Sequence, residues 1–69
     1  MKNRLAELRT TKGWTQQQLA DLVGVSRQTV ISLERGRYNP SITLAFRLAR
    51  TFEIQIEKMF LYEEEDDEQ

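Results

Sequence analysis

The twenty residues from Gln16 to Arg35, QQQLADLVGVSRQTVISLER, limit the possible folds more than any other part of the chain. Thr15 stands where an N-cap would, and Gln18, three residues on, completes a capping box. Leu19, Ala20, Leu22 and Val23 then fall on one face at helical spacing. The helix they predict ends at Gly24, because glycine tolerates the left-handed backbone at a helix C-terminus. Val25 follows as an apolar residue buried in the turn, and Ser26 is placed to cap a second helix whose inward face is Val30 and Leu33.

A small residue at position 20 lets the second helix approach the first closely, and Gly24 lets the chain reverse. Leu19, Val23, Val25, Val30 and Leu33 lock the pair together. This is the helix-turn-helix pattern. The competing reading is an ordinary helical hairpin in an arbitrary bundle. A small residue, a glycine and five apolar residues in this order weigh against it.

Sixty-nine residues suffice for one domain. A chain this short buries only about 60% of the surface its unfolded form exposes, so a large catalytic cleft is not expected. Without cysteine or histidine, a thiolate nucleophile, a disulfide framework and the usual zinc sites are excluded. The chain reads as a non-enzyme with no cofactor, no metal and no evident small-molecule ligand. No apolar run approaches a membrane span, and MKNRLAELRTTKGW lacks the apolar core of a signal peptide, which predicts a cytoplasmic protein.

The net charge of −1 conceals an asymmetry. Residues 1–62 carry ten Lys/Arg and five Asp/Glu, a net +5, whereas residues 63–69 carry six acids and no base. A basic body suggests a polyanionic partner. Residues 1–62 are therefore read as the domain, and EEEDDEQ as a disordered acidic tail, since a like-charge run without apolar residues has nothing to bury. It lacks the spacing of a calcium loop.

Ahead of the central stretch, Asn3 is a candidate N-cap for a helix from Arg4 to Lys12 with Leu5 and Leu8 inward, ended by Gly13. Trp14 is expected to wedge between this helix and the next. Arg9 lies near the apolar face and needs a partner, and Glu34 beside inward Leu33 is the candidate for a structural ion pair. After the motif, Gly36, Asn39 and Pro40 mark a loop in which Arg35, Arg37 and Tyr38 gather positive charge and a hydroxyl donor, suited to phosphate contact.

Ser41 is expected to cap a fourth helix with Ile42, Ala45, Leu48, Ala49 and Phe52 inward. Ile54 and Ile56 lead into a last short helix or turn. Met59 and Phe60 either finish the core or form a partner surface. With Leu61 and Tyr62 they gather more apolar area than a lone domain covers comfortably, and a homodimer through Met59, Phe60, Leu61 and Tyr62 is the expectation. A short strand near residues 60–63, pairing with residues 1–3, is a further option.

From Leu5 to Phe60 the chain resembles the Xre/Cro/CI family of helix-turn-helix regulators, on the strength of WTQQQLADLVGVSRQTVISLERGRYNP followed by PSITLAFRLARTFEI. It is most similar to the small one-domain members of the cytolysin regulator type. The resemblance implies an all-α, five-helix, lambda-repressor-like domain that binds double-stranded DNA, with members commonly symmetric dimers and mostly repressors. It puts Gln16 at the DNA backbone, Arg27, Gln28 and Ser32 on the base-facing side of the reading helix, and Arg37 and Asn39 near phosphates. Arg9 and Glu34 match the family's internal ion pair, and Ile31 would be exposed to meet a thymine methyl. Glu53 stands where relatives often have glycine, and Gln55 replaces the usual cap before the last helix.

Chemistry agrees with that placement. A helix in the major groove meets a distinct donor, acceptor and methyl pattern at each base pair. Gln28 suits bidentate pairing with adenine, and Arg27 suits guanine or a phosphate. One reading helix covers few base pairs, so two copies on half-sites of a palindrome are expected. The alternative from another class is a helical protein-interaction module without useful DNA binding.

Overall fold

The computed structural model describes residues 1–37 and 39–61. The order is β1 (Lys2–Asn3), α1 (Leu5–Thr11), α2 (Gln16–Val23), α3 (Arg27–Glu34), α4 (Ile42–Phe52), α5 (Ile56–Met59) and β2 (Phe60–Leu61). This is the expected five-helix domain with the small terminal strand pair. Tyr38, Tyr62 and the acidic tail expected over 63–69 lie outside the described residues.

Local sequence sets the helix starts. Thr15 accepts the Gln18 N–H at 3.0 Å while the Gln18 side chain accepts the Thr15 N–H at 2.8 Å, a reciprocal box at the head of α2. Ser26 and Ser41 cap α3 and α4 in the simpler form, accepting the Thr29 and Leu44 N–H groups, each at 3.1 Å.

The ends of α1 to α4 share one device. The N–H groups of Trp14, Val25, Arg37 and Ile54 reach back to the carbonyls of Arg9, Ala20, Ser32 and Ala49 at 3.0–3.1 Å. In each case the residue just before the donor has positive φ: Gly13, Gly24, Gly36 and, at the end of α4, Glu53 with φ 54°. These are Schellman endings, and only the last lacks the glycine that makes the left-handed backbone inexpensive.

Leu5, Leu19, Leu33, Leu48, Met59 and Val30 form the fully buried centre. α2 packs on α3 through Ala20, which is fully covered, and α4 closes the opposite side with Ala45, Leu48, Ala49 and Phe52. Trp14 fills the junction after α1 and lies tilted against Phe52, ring centroids 5.4 Å apart. The strands pair antiparallel, Lys2 with Leu61 and Asn3 with Phe60.

Four expectations are corrected. α1 spans Leu5–Thr11 rather than Arg4 to Lys12, with the non-helical Arg4 at the N-cap position and Lys12 at the C-cap, while the Asn3 side chain still accepts the Leu5 N–H at 3.0 Å. Leu22 is exposed, since it lies on the side of Leu19 away from Ala20 and Val23. Ile42 is 77% exposed, because the inward stripe of α4 centres on Ala45, Leu48, Ala49 and Phe52 and the first-turn Ile42 lies off its edge beside exposed Phe46. Met59, fully buried, is a core residue whose side chain is not available to a partner, while Phe60, 7% exposed, belongs to the core and still lines the apolar groove along α4. The four-residue α5 carries Met59 under the bundle, and the strand pair then holds Phe60 inward and Leu61 outward.

Candidate nucleic-acid interface

α3 buries Val30 and Leu33 against the core, so the opposite stripe faces out at helical spacing: Gln28, Ile31, Ser32 and, just past the end, Arg35, with Arg27 beside it at the start. Arg27, Gln28 and Arg35 are exposed, and Ile31 and Ser32 half-exposed. The stripe offers a guanidinium, an amide, a branched alkyl group and a hydroxyl along one line, the kinds of group that distinguish base edges.

Arg9 and Glu34 meet in a two-pronged pair, Nε to Oε2 at 2.6 Å and Nη2 to Oε1 at 3.3 Å, with side chains 14% and 7% exposed. Arg9 also donates through Nη1 to the Trp14 carbonyl at 2.8 Å. Gln16 donates to Glu34 Oε1 at 3.1 Å. Gln16, Arg27, Arg9, Thr15 and Gln17 border one open cleft between the heads of α2 and α3.

The remaining sequence candidates lie at the end of the stripe or beyond it. Arg35 borders a recess shared with Asn3, Glu34, Gly36 and Leu61. Arg37 is exposed in the loop after α3. Asn39, also exposed, borders an apolar groove of about 450 Å³ along α4, together with Pro40, Ile42, Phe46 and Ile56. The candidate set is therefore one stripe on α3, one cleft at the head of α2 and a flanking loop.

Two residues were missed in the sequence. Gln17 shares the cleft with Gln16 and Arg27 and donates to Asp21 Oδ1 at 2.9 Å, and its place in the first turn of α2 was the available signal. Phe46, 56% exposed, is the larger omission. It lies one turn beyond Ile42 in a helix whose apolar residues spread wider than one face. Among the described residues no three His, Cys, Asp or Glu side chains come together as a metal site, and no helix is long and apolar enough to cross a membrane.

Residues 5–59 match the family described as Helix-turn-helix, and this chain belongs to it, as a regulator of the Xre/Cro/CI-like type. It is 46% identical over 66 residues to an uncharacterized HTH-type transcriptional regulator of Archaeoglobus fulgidus, spanning 96% of this chain and 94% of that one. It is 38% identical over 60 residues to the competence pilus inhibition repressor of Acinetobacter baylyi, covering 87% of this chain and 54% of that protein. Among solved structures, the restriction-modification controller protein C.AhdI from Aeromonas hydrophila superposes with a TM-score of 0.75 at 42% identity, over 83% of this chain and 86% of that one. The chain is thus a helix-turn-helix transcriptional regulator, a member of a DNA-binding family and not an enzyme.

Proposed function

We propose that the protein is a cytoplasmic, sequence-specific repressor that binds a palindromic operator as a homodimer, each copy laying α3 in the major groove of double-stranded DNA. The observation that carries this reading is the outward stripe of Gln28, Ile31, Ser32 and Arg35 with Arg27 beside it, set opposite buried Val30 and Leu33. In this reading Gln28 reads a base edge, Ile31 and Ser32 complete the readout, and Gln16, Arg35, Arg37, Tyr38 and Asn39 serve the DNA backbone. Repression follows from occupying a promoter, and the likeness to a named repressor supports that sense of regulation.

The dimer reading keeps Leu61 and otherwise shifts to residues of α4 and α5. With Met59 and Phe60 in the core, the exposed apolar side chains apart from Leu22 on α2 are Ile42 and Phe46 on α4, continued by half-buried Ile56, and Leu61 on β2. A second copy that buried this face in a two-fold manner would place two reading helices on one side of a duplex. The same surface favours the second reading, a protein-interaction module that does not use DNA.

Selection of bound sequences from random duplex DNA, followed by a salt series on the enriched site, separates the two. Phosphate contacts release counterions, so affinity should fall steeply as salt rises. No enrichment, or a flat salt dependence, would leave the interaction module as the function.

A further inference from the structure

Glu34 holds more than an ion pair requires. Its Oε2 accepts Arg9 Nε at 2.6 Å, and its Oε1 accepts both Arg9 Nη2 at 3.3 Å and Gln16 Nε2 at 3.1 Å. Arg9 at the same time donates to the Trp14 carbonyl, two residues before α2 begins. One part-buried carboxylate at the last residue of α3 therefore joins α1, the turn before α2 and the first residue of α2. Tying α1 to α3 needs only Arg9 and Glu34.

The bond to Gln16 does something separate. Gln16 borders the cleft with Arg27, and its amide keeps a second N–H and the carbonyl oxygen for another partner. A free glutamine side chain loses rotamer freedom when it meets a ligand, whereas one already held by an ionised acceptor has lost much of it beforehand. The holding group sits at the end of the helix whose outward stripe meets the bases, so the head of α2 and the stripe are referenced to one carboxylate.

We propose that Glu34 is a positioning residue for DNA recognition, presetting Gln16 so that the backbone contact at the start of α2 and the base contacts of α3 engage the duplex in a single register. This rests on the DNA-binding reading above. Glu34 does not itself touch DNA in this scheme, and Arg9 serves to fix the carboxylate.

The test uses the full chain with Glu34→Asp, which keeps a charge opposite Arg9 but withdraws the carboxylate by one methylene, together with Gln16→Ala and the double variant. Affinity for the enriched site is measured for each, with the binding-competent fraction fixed by stoichiometric titration. Each single variant should lose about tenfold, and the double variant should be no weaker than Gln16→Ala alone. An equal loss from Glu34→Asp with and without Gln16 would overturn the proposal, since a purely structural ion pair predicts that result. Because Glu34→Asp is a change in the core of the ion pair, a second measurement is made on the wild-type protein. The side-chain amide hydrogens of Gln16 should exchange more slowly than those of exposed Gln28, and equal exchange would likewise overturn the proposal. If the wild-type protein bound no DNA while Gln16 remained protected, the DNA reading itself would have failed and this proposal with it.

Discussion

Asn3 is bonded to the carbonyl of Leu33 at 2.7 Å, a contact that spans thirty residues and fastens β1 to the last turn of α3. Its other side-chain atom accepts the Leu5 N–H at 3.0 Å, so one amide serves two helices at once. Replacing it by alanine leaves a part-buried carbonyl and the first N–H of α1 without these partners. Asn3→Ala should therefore lower stability by about 1–3 kcal/mol, read as a fall in the urea midpoint at unchanged slope. A shift near zero would mean that water replaces both bonds without cost.

Glu53 holds φ 54° and ψ 48° at the end of α4, the place that glycine fills at the ends of α1, α2 and α3. A side chain in that region costs about 1–2 kcal/mol, partly offset by the greater freedom of glycine in the unfolded chain. Glu53 is exposed, so little contact is lost with it. Glu53→Gly should raise stability by about 1 kcal/mol. Glu53→Ala, which keeps a Cβ at positive φ, should not. Thermal unfolding of the two variants side by side checks the contrast.

Base reading and backbone clamping should separate by substitution. Gln28→Ala should weaken the enriched site more than unrelated DNA, by about 1–3 kcal/mol, while Arg37→Ala should weaken both alike and reduce the salt slope by about one. Binding isotherms on the two duplexes at several salt concentrations measure both effects. Sequence preference controlled by Arg37 instead would remove α3 from the reading role.

The proposed dimer face and the core lie within a few residues of one another and should respond differently. Ile42→Lys together with Phe46→Lys should halve the mass in sedimentation without unfolding the domain, because both side chains are already exposed in the single chain. Met59→Ala should instead lower stability by about 2–5 kcal/mol, as deletions of fully buried side chains do. A double-lysine variant that stayed dimeric would move the interface off α4.

Much of this fold is written in short local signals. Thr15, Ser26 and Ser41 cap helices because each needs only its own hydroxyl and an N–H three residues on, so a one-dimensional reading suffices. The α2–α3 turn is equally local, with Gly24 and Val25 closing on the Ala20 carbonyl. The face of α4 was harder, because apolar residues at 42, 44, 45, 46, 48, 49 and 52 cover more than one stripe, and only packing against α2 and α5 decides which turn inward. Met59 and Phe60 pose the same difficulty at the end of the domain, where Met59 is buried by the four-residue α5 and Phe60 is held inward by a strand partner fifty-odd residues away. On α3 the outward residues follow directly once Val30 and Leu33 are taken as inward. The bond from Gln16 to Glu34 joins positions eighteen apart on different helices and has no sequence periodicity to announce it.

The pairing of Lys2 with Leu61 and Asn3 with Phe60 also bears on the order of events in folding. The contacts between α2 and α3 are close in sequence and form early at small entropic cost, whereas this strand pair closes a loop that takes in nearly the whole domain. Its closure cost is repaid only once the helices are docked, so the strand pair is expected to form late, with a φ-value near zero for substitutions at Asn3 and Leu61. The strand pair is then a latch: tightening it slows the escape of the native state and leaves the speed of folding almost untouched.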